Sequence, residues 1–591
     1  MNLLMPTPII HQRYIQWLAV LCIGFLMVLA AEPVQVGFCK TDIALIWCVM
    51  TMMIVLVMLE SSVLIAYHNN AHKVSRVGWN LVDSLITAGA LYYLLRTWIG
   101  GDYSCASSFL QTMAMVLLYC ALRGILSHAQ LPSAWLMVGL IACGAYEAGL
   151  GYSQILSGAS RHSLYLISGT FRNSGPYSAF LMLGAAIGLA WMQELAQGWK
   201  KYVVMAITVV MIVLLPATWS RAALLSLSIV ALLMFRRDYW AWRWAVWSVC
   251  LTVGIALYFL KQGSADGRLL TWAASLQTWQ HSPWMGVGIG GFHEAVADGI
   301  AEYYVHTPTS PLFSSGGVAE YAFNDFLKVL VEQGLIGAVL MIAIVGCTLL
   351  RLWSHSQPLF YGMLSLLLFS LFSYPLELLP YRIIAVMMTA WVASVRSRES
   401  EGGASSHWVA LPLLLLTPSF LMSKEIARRC EADNDYRLIA GMEHEAFIKD
   451  YYELWPRKND DARFLFDFGK ILRAHGKYND SNEMFRQGSR ISADPMFQVL
   501  IGNNYRDLGC PDLAETSYKR AFSIMPNRIY PLYQLMQLYK DADDTCRARE
   551  YAAKIIAFHE KVSSPATRQI KEEATAYLAG NLTQAKNENI K

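Results

Sequence analysis

Residues 267–337 read GRLLTWAASLQTWQHSPWMGVGIGGFHEAVADGIAEYYVHTPTSPLFSSGGVAEYAFNDFLKVLVEQGLIG. This polar loop, which ends in the start of an apolar helix, interrupts a chain that up to about residue 420 alternates membrane-length apolar runs with short turns. Of all residues, 55% are hydrophobic and only 15% are charged, the composition of a multi-span membrane protein rather than a soluble one. Such a chain satisfies its backbone in lipid with helices, so the fold class is all-α. The net charge of +4 is spread over many loops and points to no nucleic acid partner.

At about 20 residues per crossing, the apolar runs give about 12–13 transmembrane helices. They fall near 14–31, 43–66, 80–98, 108–126, 134–155, 176–193, 202–218, 222–235, 241–260, 326–349, 358–374, 383–396 and 407–422. The domain plan is therefore nine spans in residues 1–260, a large loop in 261–325, further spans in 326–422 and a soluble region in 423–591. With the N-terminus inside, the inner loops collect most of the Lys and Arg, including Lys73, Arg76, Lys200, Lys201, Arg236 and Arg237. That asymmetry puts the large loop outside. An odd span count puts the C-terminal region outside too, unless Trp408 to Met422 does not cross. The eleven cysteines show no metal-ligand spacing. Cys39 and Cys105 share the outer side, which leaves either a disulfide or two free thiols.

From about Lys424 a period of 33 to 34 residues appears. Gly469, Gly476, Tyr478 and Phe485 answer to Gly502, Gly509, Ala514, Tyr518, Ala521 and Pro526. A weaker third unit carries Leu535, Tyr539 and Ala548. These are the small and aromatic positions of tetratricopeptide repeats, so the expected C-terminal domain is an α-solenoid of about three such repeats plus a final helix. A solenoid of this kind binds a peptide or protein partner, or serves as a rigid cap.

Arginines near the outer edge of a bilayer are costly and carry a functional signal. Arg172, Arg221, Arg268 and Arg382 lie there. Arg221 precedes the inner Arg236 by fifteen residues, about 22 Å of helix, which sets it at the outer edge of the hydrocarbon. Each alone reads as a snorkelling anchor. Together they suit a pyrophosphate, because each guanidinium offers a planar fork of donors and stays charged. The run Gly286, Gly288, Gly290, Gly291 is either a phosphate cradle of backbone N–H groups or a tight turn.

Ser220-Arg221 opening a span, Gly267-Arg268 with Trp272, Pro283 with Gly286, Gly288 and Gly290, and Asn324 before Gly334-Leu335-Ile336-Gly337 together resemble the O-antigen ligase superfamily. That superfamily includes O-antigen polymerases and protein O-oligosaccharyltransferases, and the resemblance covers residues 168 to 396. It implies a GT-C-type glycosyltransferase of the bacterial inner membrane with its large loop in the periplasm. Such an enzyme takes a glycan from undecaprenyl pyrophosphate and transfers it with inversion to an acceptor hydroxyl, using no metal or other cofactor. The acceptor is lipid A-core, a periplasmic protein Ser or Thr, or a growing glycan. Carried over by position, Arg221 and Arg268 hold the pyrophosphate, with Arg172, Arg382, Gly288, Gly290 and Asn324 as further substrate contacts.

One residue departs from the pattern. Phe323 occupies the slot of the ligase histidine before Asn324, and phenylalanine cannot accept a proton. Asp325 and His306 are the replacement candidates for catalysis alongside Arg221 and Arg268; Glu320, His293, Glu294 and Glu302 are further ones. Readings from other classes are a non-catalytic repeat scaffold of a glycan-assembly complex and a transporter, although no two related halves appear.

Overall fold

The computed structural model of the protein describes residues 8–31, 46, 49–60, 79–99, 106–158, 166–171, 173–235, 244, 248, 252, 262–307, 312, 317, 320–395, 411–559 and 564–588. Among these residues the regular structure is helical throughout. The membrane-type helices are α1 (Pro8–Ala31), α2 (Val49–Glu60), α3 (Leu81–Ile99), α4 (Ala106–Ala129), α5 (Ser133–Ser157), α6 (Ser174–Glu194), α7 (Trp199–Leu214) and α8 (Arg221–Met234). Two loop helices follow, α9 (Gln262–His281) and α10 (Phe292–His306), and then α11 (Asp325–His355), α12 (Gln357–Ser370) and α13 (Leu379–Ser394). Helices α4 to α7 and α11 are each long and apolar enough to cross a membrane, and α1, α2, α8, α12 and α13 contain shorter apolar helices. The expected span 241–260 lies outside the described residues apart from positions 244, 248 and 252, as do Cys39, Cys105 and Arg172.

Helix α6 is buried along most of its length and packs against α5, α7, α8 and α12. Its sequence is apolar or small on every face, as a central helix requires. Gly144 of α5 and Gly184 of α6 face each other, with Met211 of α7 filling the space beside them. Small residues there let the backbones approach closely.

Long-range hydrogen bonds define the two ends of the bundle. At one end Gln16 donates to Ala129 O (3.1 Å), Asn80 to Ala393 O (2.9 Å) and the Trp391 indole to Leu131 O (2.8 Å). Asp83, buried there, accepts from Tyr119 (2.6 Å), from two nitrogens of Arg123 (3.1 and 3.2 Å) and from Asn80 N (2.9 Å). That many donors offset the desolvation of the pair. At the other end Thr170 donates to Ala31 O (2.8 Å) and Arg96 to Gly286 O (3.0 Å). Helices α9 and α10 sit at this second, loop end.

Helix α11 breaks at Gly334 (φ 67°, ψ −167°). The break leaves backbone donors without helical partners, and Pro283 and Trp284 supply acceptors: Leu335 N–H donates to Pro283 O (2.8 Å) and Ile336 N–H to Trp284 O (3.3 Å). A Cβ on Gly334 would overlap the Trp284 carbonyl, and one on Gly286 would overlap the backbone of Glu332. Backbone thus packs on backbone, which only glycine allows.

Helix α14 (Leu411–Ile439, with Pro418 inside) leads into the C-terminal helices α15 (Ile448–Lys458), α16 (Ala462–Ala474), α17 (Tyr478–Ile491), α18 (Met496–Asp507), α19 (Pro511–Ile524), α20 (Tyr530–Asp541), α21 (Thr545–Ile556) and α22 (Pro565–Glu588). The first helices of three successive hairpins start at Ala462, Met496 and Tyr530, 34 residues apart. Gly469 lies under the Phe485 ring and Gly502 under that of Tyr518. The turns between hairpin helices use Gly476 (φ 72°), Gly509 (φ 73°) and Asp543 (φ 54°).

This helical domain sits at the loop end of the bundle. Arg520 pairs with Asp298 of α10 (2.8 Å), and Ala297 packs with Ala493 and Ile524. Asp460 accepts from the Ser107 N–H (2.9 Å) and hydroxyl (2.8 Å) at the start of α4 and pairs with Arg429 (2.9 Å). At the opposite end, Val395 O accepts from Arg351 (3.2 Å). Val395 and Arg429 thus lie at opposite ends of the bundle, and α14 packs against α4.

Candidate active site

Arg268 lies at the loop end, near enough to Arg221 for the two charges to repel. Arg268, on α9, donates Nη1–H to Phe372 O (2.7 Å), while its buried Nε has no hydrogen-bond partner among the described residues. Its guanidinium lies 4.9 Å from the centre of the Phe323 ring, within cation–π range. Burial, and after it the positive charge of Arg221, push the Arg268 pKa down to about 10, with Tyr374 opposing. A guanidinium whose charge is disfavoured by burial and by a second cation is set up to receive an anion. Arg221 is the first residue of α8, after a short 3-10 turn (Pro216–Thr218) and Trp219 in the left-handed region (φ 53°). The first N–H groups of that helix, which receive no side-chain cap from Ser220, add to the positive potential.

An aromatic frame holds Arg268. Tyr321 and Tyr374 stack face to face at 3.7 Å, and Phe323 meets Tyr374 edge-on at 5.6 Å. Phe323 is itself in the left-handed region (φ 51°). The Trp272 indole donates to Ala322 O (3.0 Å), tying α9 to the 321–323 segment. Asn173 caps α6, accepting from Gly175 N (2.9 Å), and donates to the Tyr374 hydroxyl (3.4 Å). The preceding residues 168–170 are clamped from α5: Gln154 accepts from Ser168 N and Gly169 N (2.9 Å each), and Glu147 accepts from Thr170 N (3.1 Å). Glu147 thus has an internal partner.

Beside this frame lies a cluster of charged side chains. Lys328 pairs with Glu377 Oε2 (2.6 Å), and Asp325 Oδ2 accepts the Leu376 N–H (3.0 Å). Glu377 Oε1 is buried with no hydrogen-bond partner among the described residues, and the Ser370 hydroxyl lies beside the Asp325 carboxylate. Arg382 donates to Leu376 O and to Gln111 (3.1 Å). Segment 372–377 connects the two halves, since Phe372 O holds Arg268, Tyr374 stacks in the frame, Leu376 is held by Asp325 and Glu377 pairs with Lys328.

Several sequence-derived residues do other work. Gly288 N–H donates to Glu332 O (3.0 Å), Val287 N–H to Val331 O (2.9 Å), and the Gly290 and Phe292 amides to the Glu332 carboxylate. The expectation that Gly288 and Gly290 cradle phosphate is corrected: their amides bind α11. The Asn324 side-chain oxygen caps α11 by accepting from Leu327 N (3.0 Å). His306 is exposed at the end of α10, 3.9 Å from Glu302, and that helix packs on the helical domain. No described contact brings His306 to the arginine site. Asp325 is 4% exposed and sits behind the 375–377 turn. Sequence reasoning missed Glu377, Lys328, Tyr321 and Tyr374. A lone glutamate in the apolar stretch 357–395 was the available signal.

Residues 206–342 match the family model described as O-antigen ligase. The match contains Arg221, Arg268, the glycine loop, Phe323 and the break at Gly334. This segment of the chain is similar to the O-antigen ligase superfamily. The match and the apolar helices together support a membrane protein of the O-antigen ligase and polymerase type of glycosyltransferase. The match ends before residues 372–382, although that segment touches each half of the site. No curated protein matches the chain significantly.

Proposed function

We propose that this protein transfers a glycan from undecaprenyl pyrophosphate to an acceptor hydroxyl at the periplasmic face of the bacterial inner membrane. The observation that carries this reading is the pairing of Arg221 with Arg268, whose charge is disfavoured by burial and by its neighbour. The two guanidiniums bind the pyrophosphate and stabilise the negative charge that grows on it as the anomeric C–O bond breaks. The acceptor oxygen attacks the anomeric carbon from the opposite face, which inverts its configuration. Arg172, adjacent to Asn173, and Arg382, adjacent to the carboxylate cluster, are further donors to the lipid-linked glycan.

In this reading residues 408–422 form the last crossing, and the C-terminal domain is a tetratricopeptide-like solenoid on the same side as the catalytic loop. Repeats of this kind offer concave surfaces that bind peptides, and Arg520 docks this domain on α10 beside the catalytic loop, so a protein is favoured as acceptor or partner over lipid A-core. The test is transfer from a lipid-linked oligosaccharide, with lipid A-core and exported proteins offered in parallel, by the wild type and by Arg268→Ala. Glycan on protein, lost in the variant, supports the reading. Glycan on lipid A-core would make the protein a ligase, extended glycan a polymerase, and no transfer to any acceptor would leave a scaffold.

A further inference from the structure

The residue that accepts the acceptor's proton is open, because Phe323 stands where a histidine is expected and its ring lies against Arg268. Asp325, two residues on, directs Oδ2 to the Leu376 amide and has the Ser370 hydroxyl beside its carboxylate, so it holds the turn. His306, His281 and Glu302 form an exposed group on α9 and α10. Glu377 differs from all of these. It lies three residues beyond Tyr374, about 6 Å along a 3-10 turn, so it borders the aromatic frame around Arg268. Its side chain is 14% exposed, with Oε2 fixed by Lys328 and Oε1 buried without a partner among the described residues. A carboxylate with one oxygen anchored and the other unbonded has the arrangement of a general base.

We propose that Glu377 is the proton acceptor of the transfer, a proposal that rests on the transferase reading above. The acceptor hydroxyl oxygen forms its bond to the anomeric carbon while the C–O bond to the pyrophosphate breaks, the electron pair leaving on the pyrophosphate. The hydroxyl proton passes to Glu377 Oε1 and is later released to water. Lys328 orients the carboxylate and Asp325 positions the turn that carries it. The charged groups facing Glu377 are Lys328, Asp325 and Glu332 from α11, with Arg382 of α13 next to Lys328. Phe323 has a different task, giving Arg268 an apolar, polarisable face in place of a proton acceptor.

The experiment compares wild type, Glu377→Gln, Glu377→Asp and the double variant Lys328→Gln with Glu377→Gln. Binding of a polyprenyl-pyrophosphate-linked oligosaccharide is measured separately from kcat. The expected result is that Glu377→Gln binds this donor as the wild type does, with kcat lowered about 10²- to 10⁴-fold and the fall in kcat at low pH abolished. Glu377→Asp regains part of kcat and keeps that fall. Removing a single partner leaves a buried charge unpaired, so a purely structural ion pair would be rescued by the double variant. Rescue of kcat in the double variant, or an unchanged low-pH fall in Glu377→Gln, would overturn the assignment. Failure of the wild type to bind the donor would overturn the transferase reading as well, whereas normal donor binding with normal kcat in Glu377→Gln overturns only the role of Glu377.

Discussion

The glycine loop 283–291 and the arginine pair Arg221 and Arg268 come from the same part of the chain, and they use their polar groups in opposite ways. The loop amides of Val287, Gly288 and Gly290 all bond to α11, and the carbonyls of Pro283 and Trp284 accept the donors freed by the break at Gly334. Arg268, by contrast, keeps a buried Nε without a partner among the described residues, and the groups that disfavour its charge are burial and another cation. A polar group already engaged inside the protein builds shape; one held without a counter-charge is available for a ligand. The loop therefore acts as the joint that orients the start of α11, and the arginines act as the anion site.

Substitutions can break or sharpen this contrast. The largest effect is expected at the joint. Gly334→Ala places a Cβ against the Trp284 carbonyl at φ 67°, and the loss of about 4 kcal/mol or more is of the size reserved for such clashes. It should appear as poor yield and an early thermal transition in detergent. A variant as stable as the wild type would mean that the joint is soft. Next is Arg268→Lys, which should fold normally and transfer glycan at a rate between those of wild type and Arg268→Ala, because an ammonium keeps the charge and loses the planar fork. Wild-type turnover would show that charge alone suffices. The smallest effect belongs to Asn324→Ala, where loss of the cap on α11 costs about 1 kcal/mol. Its catalytic rate at full folding should stay near the wild-type value; a selective loss of donor binding would return Asn324 to the substrate site.

The sequence made the helical class, the order of the described spans and the 34-residue spacing of the hairpins legible, because apolar run length and small-residue periodicity are local properties. Arg221 and Arg268 were legible because charges at the edge of an apolar run are costly and so stand out. The role of Gly288 and Gly290 was not, since a glycine run looks the same whether its amides face a ligand or another backbone. Glu377 was missed for a related reason. Its partner Lys328 lies 49 residues away, and only the fold brings that pair, the Tyr321–Tyr374 stack and Arg268 to one place. Phe323 was read only as a missing base, while its contact with Arg268 depends on a left-handed backbone that no local pattern announces.

The account's central claim, an arginine pair built for a pyrophosphate, is tested most directly by donor binding. Wild type, Arg221→Ala and Arg268→Ala would each be titrated with polyprenyl pyrophosphate and with polyprenyl monophosphate in the same nanodiscs. The account predicts that wild type prefers the pyrophosphate by at least about tenfold, roughly 1.4 kcal/mol, and that either substitution removes the preference. Equal binding of the two lipids by the wild type, or a preference that survives in both variants, would contradict it.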